Sequence, residues 1–275
     1  MHYATFVLST GRCGTQWLAT ALAEAYADQL AVEHEPLHSR YQPRKALEHA
    51  SSAGAAAQLP AEVLRHMDAI EARLQTQAYI ECGHPSWSTI PRLIERFRGR
   101  VRVIHLVRHP VPTSCSWLTH QAYQPPLLPH LPEKILLSPF DAGVRFPDYR
   151  ERWHALTPFE KCVYYWTEVN AFGLDLQPSV DLPWLQLRYE DLFHGEGLGR
   201  LLEFLHLPPH AAILQRRAEV IDIHHSYLAT AEAWRTILDH PHALAIAQQL
   251  GYSVDAIDDA ALAGRYLWSH PRSAG

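Results

Sequence analysis

The stretch "YATFVLSTGRCGTQWLATALAEAYA", residues 3–27, decides the fold. Its opening, "YATFVLS" at 3–9, is a mostly apolar run of strand length, and "GTQWLATALAEAYA" carries apolar residues at helical spacing. Between them lies "STGRCG", so the unit is strand, glycine-containing loop, helix. In such a unit the backbone N–H groups of the turn and of the helix N-terminus converge, forming a cradle for a phosphate-like anion. The kinase-type loop G-x-x-x-x-G-K-[ST] is absent, because the sequence contains no Gly-Lys dipeptide. The loop here is shorter, and Arg12 stands where a cation would meet a transferring group. Arg12, Gly14 and Thr15 can hold a phosphate without that lysine. A plain βα turn that uses glycine for its backbone freedom is the alternative.

The same plan recurs along the chain. "RVRVIHLV" at 100–107 is a β-branched strand, and "VPTSCSWLTHQAY" continues as a helix after Pro110 and Pro112, which suit an opening turn. "LPWLQLRYEDL" at 182–192 is a third strand running into a loop, and "GLGRLLEFLHLP" is a helix stopped by Pro208. This alternation predicts an α/β protein, three layers with a central, mostly parallel sheet flanked by helices and a P-loop NTPase-like layout. Ligands in such sheets bind at the C-terminal ends of the strands, so the loops after residues 9, 107 and 188 should converge on one site. Residues 1–275 read as a single domain, with neither an internal repeat nor a Gly/Ser/Pro linker. "TPFEKCVYYWTEVNAFGLDL" reads as a buried amphipathic helix with Trp166 in the core. Two long segments, the Ala-rich 43–64 and the Pro-rich 124–153, are expected to be irregular lids or binding loops.

The net charge of -5 and a pI near 6.4 argue against a protein that wraps nucleic acid, so any anion site is local. Of the 24 basic residues only Lys45, Lys134 and Lys161 are lysine, and arginine's planar fork suits phosphate or sulfate. Cys13, Cys82, Cys115 and Cys162 are scattered, which fits reduced thiols in a cytoplasm better than a disulfide framework or a zinc ribbon. The N-terminus carries no basic leader with an apolar run, and no window approaches eighteen uncharged apolar residues. A soluble, cytoplasmic protein without stable membrane insertion is the expectation.

One further segment carries chemistry. His34-Glu35-Pro36-Leu37-His38 matches the H-E-x-x-H pattern of zinc enzymes, in which a helix presents both histidines on one face. Pro36 has no N–H and pushes Glu35 toward an extended conformation, so a continuous helix is not expected and no metal is assigned. His224-His225 and His240-Pro241-His242 lack ligand spacing as well.

Three segments together carry a family resemblance. "STGRCGTQWLA" resembles the 5′-phosphosulfate loop of sulfotransferases that use 3′-phosphoadenosine 5′-phosphosulfate (PAPS), commonly [KR]-S-G-[ST]-[ST]-x-[LW] after a strand. "HLVRHPVPTSCSW" is similar to the family's 3′-phosphate segment, an Arg closing a strand with a Ser eight positions later, here Arg108 and Ser116. "LQLRYEDLFHGEGLGRLLEFLHLP" resembles the third hallmark, a strand ending in R-Y-E-D-L before a helix and F-L-x-L. The departures are Cys13 for the usual Ser and Gln16 for the usual Thr or Ser, which put one or two hydroxyl contacts in doubt.

The resemblance implies a PAPS-dependent sulfotransferase that uses no metal and releases 3′,5′-ADP. Arg12, Cys13, Gly14, Thr15, Gln16 and Trp17 would cradle the nucleotide, Trp17 and Tyr189 on its adenine side, with Trp17 as plain core packing the alternative. Arg108 and Ser116 would grip the 3′-phosphate and Arg12 would act on the leaving oxygen. Arg188, Glu190 and Asp191 could equally form a solvated turn with an ion pair. "HEPL" looks like the E-P-[LV] of carbohydrate and tyrosylprotein sulfotransferases, which makes Glu35 the first choice of general base and Glu33 its nearest rival. His84, upstream of Arg108, is a second candidate; alternatively it orients the acceptor with Glu81, or is an ordinary strand-end histidine. The acceptor would be a small-molecule or glycan hydroxyl. An ATP-dependent phosphotransferase and a non-catalytic nucleotide-binding protein are the alternatives.

Overall fold

β1 (Ala4–Leu8) is buried at all five positions, as a strand covered on both faces requires. It belongs to a computed structural model that describes residues 1–51, 59–124, 135–218, 233–255 and 257–267. After α1 (Thr15–Tyr26) come β2 (Leu30–His34), α2 (Pro43–Ser51), α3 (Ala61–Arg73) and β3 (Ala78–Cys82). Next are α4 (Ile90–Arg96), β4 (Val101–Val107), α5 (Pro110–Leu118), α6 (Pro158–Ser179) and β5 (Trp184–Arg188). The chain continues through α7 (Tyr189–His194), α8 (Gly197–Leu205), α9 (Ala211–Ala218), α10 (Pro241–Gln249) and α11 (Asp259–Tyr266). The strands pair in the order β2-β3-β1-β4-β5, and every pairing is parallel.

Strand alternation divides the core into two layers. Phe6 and Leu8 of β1 join Tyr79, Val103 and Val107 against α3 to α6. Val7 faces the other way and joins Ile80, Ile104, Leu106 and Leu187 against α1 and α8. A fully buried side chain such as Phe6 contributes about 1.5–3 kcal/mol. The result is an α/β sandwich with helices on both faces. β1 is central, so the glycine-containing loop that leaves it opens at the middle of the C-terminal sheet edge.

α6 is the longest helix described. It opens on a capping box in which Thr157 and Glu160 satisfy one another's backbone N–H groups, with Pro158 at its first position. Trp166 is fully buried in it, and its indole N–H donates to the Arg108 carbonyl at 3.0 Å, fixing the end of β4.

Three local expectations need correction. "RYED" does not run into a loop: Tyr189 opens α7 directly, with Glu190 and Asp191 in its first turn, where carboxylates suit the helix dipole. The segment 43–64 is not irregular throughout, because the Ala-rich stretch forms α2 and Ala61 begins α3; residues 52–58 lie outside the described part. In 124–153, residues 125–134 lie outside it as well. Part of the remainder is packed: Ile135, Leu136 and Leu137 are in the core, and Asp141 accepts from Arg44 Nε of α2 at 2.9 Å.

Candidate active site

Each of the five strands delivers a functional side chain within a few residues of its C-terminal end. From β1 comes the loop Ser9–Gly14. Gly11, Arg12 and Gly14 all have positive φ, at 74°, 59° and 82°, so the backbone curls tightly before α1. Gly11 is required for space as well as for φ: a Cβ there would lie 2.9 Å from His84 Cγ and 3.1 Å from Trp117 Cζ2. No side chain caps the N-terminus of α1, which leaves its first amides for an anion. Trp117 Nε1 donates to the Thr10 carbonyl at 3.1 Å and Ser9 Oγ accepts from Gly11 N at 3.1 Å, so the loop is held from below.

Cys13, the residue that departs from the resemblance, turns its thiol inward. It is fully buried, donates to the Gly11 carbonyl at 3.1 Å, and burial pushes its pKa up to about 11. Its sulfur is therefore turned away from the mouth of the loop. Gln16 is exposed. Thr15 Oγ1 lies 3.3 Å from His34 Nε2. Arg12 reaches across to α5, where its Nε donates to Ser116 Oγ at 3.0 Å.

From β4 comes Arg108, 6 % exposed. Its Nη1 donates to the Arg12 carbonyl at 2.9 Å, its Nη2 donates to the Tyr266 hydroxyl at 3.2 Å, and its guanidinium lies 4.4 Å from the centre of the Tyr189 ring. No Asp or Glu of the described residues lies within ion-pair distance of it. Burial works against this charge, but Tyr266, Tyr189, Cys13 and the Glu190 carboxylate outweigh it and raise the Arg108 pKa, so the guanidinium is held as a cation that can take an anion. Ser116 of α5, also buried, is joined to the same place through Arg12. β4, α5 and the β1 loop thus assemble three groups that suit a phosphate.

From β5 comes Tyr189, whose ring supports Arg108 on one side and meets Phe193 at 4.5 Å. Trp17 is half-buried and packs on Phe193 at 4.7 Å. Arg188 and Asp191 form a two-bonded ion pair, 2.9 Å in each arm. Glu190 accepts from His109 N at 3.1 Å and from the Tyr252 hydroxyl at 2.7 Å, tying the start of α5 to the segment after α10.

From β2 and β3 come Glu35 and His84. Glu35 has φ of 46°, and its N–H donates to the Cys82 carbonyl at 3.1 Å, so the two strand ends are stitched together. His84 Nδ1 lies 2.8 Å from Glu35 Oε1, while His34 Nε2 and His38 Nε2 each lie 3.8 Å from the carboxylate. Burial alone would raise the Glu35 pKa. His84, by charge and hydrogen bond, with His34 and His38, outweighs it and brings the group down to about 2. Glu35 is therefore ionised at every ordinary pH. His34 ends β2 and His38 begins a separate 3₁₀ turn, so the two histidines share no helix.

Glu33 does not reach this place. It bonds Arg73 Nη1 at 2.6 Å and accepts from the Tyr79 hydroxyl at 2.9 Å. Glu81 is 1 % exposed and accepts from Tyr41 at 2.8 Å, with His66 Nε2 at 2.9 Å, on the same face. Among the described residues no group of three or more His, Cys, Asp or Glu is arranged to hold a metal ion. None of the described helices is long and apolar enough to cross a membrane.

The site thus joins Arg12, Gly14, Thr15, Arg108, Ser116 and Tyr189 on one side and Glu35 with His84 on the other. Tyr266 and the bond of His34 to Thr15 lie beyond what the sequence announces. Tyr266 lies 158 residues from Arg108, and no local motif signals such a contact. His34 is legible only as half of a zinc pattern.

No family model matches the chain, and no curated protein matches it. Among solved structures it is similar to the sulfotransferase domain from the curacin biosynthetic pathway, with a TM-score of 0.50 and 18% identity over 92% of this chain and 99% of that one. It also matches a sulfotransferase from Alicyclobacillus acidocaldarius, with a TM-score of 0.48 and 14% identity over 93% and 98%. A third match is the sulfotransferase domain of the Synechococcus PCC 7002 olefin synthase, with a TM-score of 0.45 and 20% identity over 96% and 93%. On the first of these likenesses the chain has the sulfotransferase fold.

Proposed function

We propose that the protein transfers a sulfuryl group from PAPS to an acceptor hydroxyl, of a carbohydrate or glycolipid, in the cytoplasm. The observation that carries this reading is Arg108: a buried guanidinium with no carboxylate within ion-pair distance among the described residues, held at a strand end whose loop neighbour Arg12 reaches Ser116. Arg108 and Ser116 fit a 3′-phosphate, and Arg12 with the uncapped start of α1 behind Gly11 and Gly14 fits the 5′-phosphate.

The phosphosulfate supplies an activated sulfuryl group; the residues here supply position and charge. The acceptor oxygen forms a bond to sulfur as the bond from sulfur to the 5′-phosphate oxygen breaks. Arg12 and the loop amides meet the charge that gathers on the leaving oxygen. Glu35 takes the acceptor's proton. A carboxylate held at about 2 is a weak base, but an alcohol bonding to sulfur becomes strongly acidic, so a weak base in the right place suffices. His84 Nδ1 fixes the carboxylate, acting as a positioning residue.

The test is turnover. Incubated with PAPS and a panel of glycan and small alcohol acceptors, the protein should release 3′,5′-ADP and sulfated product in equal amounts. Phosphoryl transfer from ATP with Mg²⁺, and none from PAPS, would overturn the reading.

A further inference from the structure

Side chains alternate along β2 as it approaches the site. Leu30 and Val32 pack into the layer of α1, whereas Glu33 points the other way, to Arg73 of α3 and Tyr79 of β3. His34, the last residue of the strand, falls on the α1 side again, and its pairing with Cys82 of β3 fixes its backbone. Its Nε2 accordingly lies 3.3 Å from the hydroxyl of Thr15, the first residue of α1. The strand thus lays an imidazole against the opening turn of the helix that no side chain caps.

The same nitrogen lies 3.8 Å from Glu35 Oε1. One atom therefore stands beside both the anion cradle and the carboxylate assigned to the acceptor. In an in-line displacement the moving group passes between those two places. The His34 side chain is 31 % exposed and that of Glu35 15 %, so the pair is open to a ligand and not sealed in the core. The loop's own side chains are turned elsewhere: the Cys13 thiol to the Gly11 carbonyl, and Arg12 Nε to Ser116 of α5.

The state of the ring suits a donor. Burial lowers the His34 pKa; Glu35 raises it, but His84, His38 and Arg12 add to burial, and the net shift is downward. The ring is neutral at neutral pH and above, and carries one N–H. The ionised Glu35 beside Nε2 favours the tautomer with the proton on that nitrogen.

We infer that His34 is a further catalytic residue, whose Nε2–H donates to an oxygen of the sulfuryl group as that group passes from the 5′-phosphate to the acceptor. This role rests on the sulfuryl-transfer reading. His34 keeps its proton throughout. The acceptor's proton goes to Glu35, and the electron pair of the broken bond stays on the phosphate oxygen. The contact of His34 with Thr15 is exchanged for one to the sulfuryl oxygen, which frees the Thr15 hydroxyl for the phosphate.

The experiment compares His34→Leu, His34→Ala and His34→Gln with the wild type, by initial rates with PAPS and by calorimetric titration of 3′,5′-ADP. The rates use the alcohol that the wild type turns over fastest. Since 3′,5′-ADP carries no sulfuryl group, its affinity should stay within about threefold in all three variants. The two variants without a donor should lose about a hundredfold in kcat, the worth of one donor aimed at a transferring group. His34→Gln, which keeps an N–H of similar reach, should return to within about tenfold of the wild type. A kcat within about threefold of the wild type in both donor-less variants would overturn the role. So would a glutamine variant no faster than the leucine one, or a loss of 3′,5′-ADP affinity as large as the loss of rate. No transfer from PAPS by the wild type removes the sulfuryl-transfer reading and this role with it, whereas equal transfer by wild type and donor-less variants removes the role alone.

Discussion

Replacing Arg108 with Met tests the nucleotide site by its effect on two ligands at once. The guanidinium is 6 % exposed and already donates to the Arg12 carbonyl and the Tyr266 hydroxyl, with the Tyr189 ring beneath it. A 3′-phosphate would add charge-assisted bonds, and removing one member of such a buried pair costs about 2–5 kcal/mol. At about 1.4 kcal/mol per tenfold, affinity for 3′,5′-ADP should fall by roughly 30-fold to several thousand-fold. Affinity for 5′-AMP, which lacks that phosphate, should fall by less than about tenfold. Stability in the absence of ligand should move little. The lost hydrogen bonds are offset by relief of a buried charge, and apolar replacements of buried ions are often neutral. The midpoint of thermal unfolding should stay within about 3 °C, or rise. Arg12→Ala should show the opposite balance, about tenfold or less in binding and about a hundredfold or more in turnover. Calorimetric titration of both ligands into both variants reads this out. Equal losses for 3′,5′-ADP and 5′-AMP, or a larger binding loss in Arg12→Ala than in Arg108→Met, would refute the division of labour.

Glu35→Gln should lower turnover by about a hundredfold or more while leaving 3′,5′-ADP binding intact, measured by initial rates beside titration. The same variant changes acid stability. A carboxyl held at about 2 against an ordinary 4.5 stabilises the fold fully above the upper value and loses that contribution as pH falls through the lower one. The difference is worth about 3 kcal/mol, so between about pH 5 and 2 denaturant titrations should show a shallower pH dependence in Glu35→Gln than in the wild type. Tyr266→Phe removes the hydroxyl that accepts from Arg108 and donates to the Pro112 carbonyl at 3.0 Å; affinity for 3′,5′-ADP should drop about threefold to tenfold and the unfolding midpoint by a few degrees. Gly11→Ala combines a φ of 74° with a contact on His84, so it should lose at least about 1 kcal/mol of stability and most of its turnover, by calorimetry and rate measurement.

Contiguous signals make one half of the sheet legible in the sequence. The β1 loop, β4 with Pro110, and β5 are strongly patterned, and their strand ends bring Arg12, Arg108 and Tyr189 together. β2 and β3 are harder to read, because "LAVEH" is half-buried and "AYIEC" places a carboxylate, Glu81, in the interior. Their periodicity is therefore broken by the residues that also form the Glu33, Glu81 and His66 cluster. Cys13 shows a further limit. Its position in the motif suggests a nucleotide contact, whereas the positive φ at Arg12 and Gly14 on either side accompanies a thiol turned into the core. Pro36 marks the break in a helix through His34 and His38, but the extended Glu35 expected from it is not found: Glu35 lies just past the end of β2 with a left-handed φ of 46°.

Recognition of a 3′-phosphate underlies every step proposed for this site. Calorimetric affinities of the wild type for 3′,5′-ADP and 5′-AMP at one salt concentration test it. Binding of 3′,5′-ADP should be tighter by about a hundredfold, from two or more charge-assisted hydrogen bonds. Equal affinities, or tight binding confined to ATP with Mg²⁺, would contradict it.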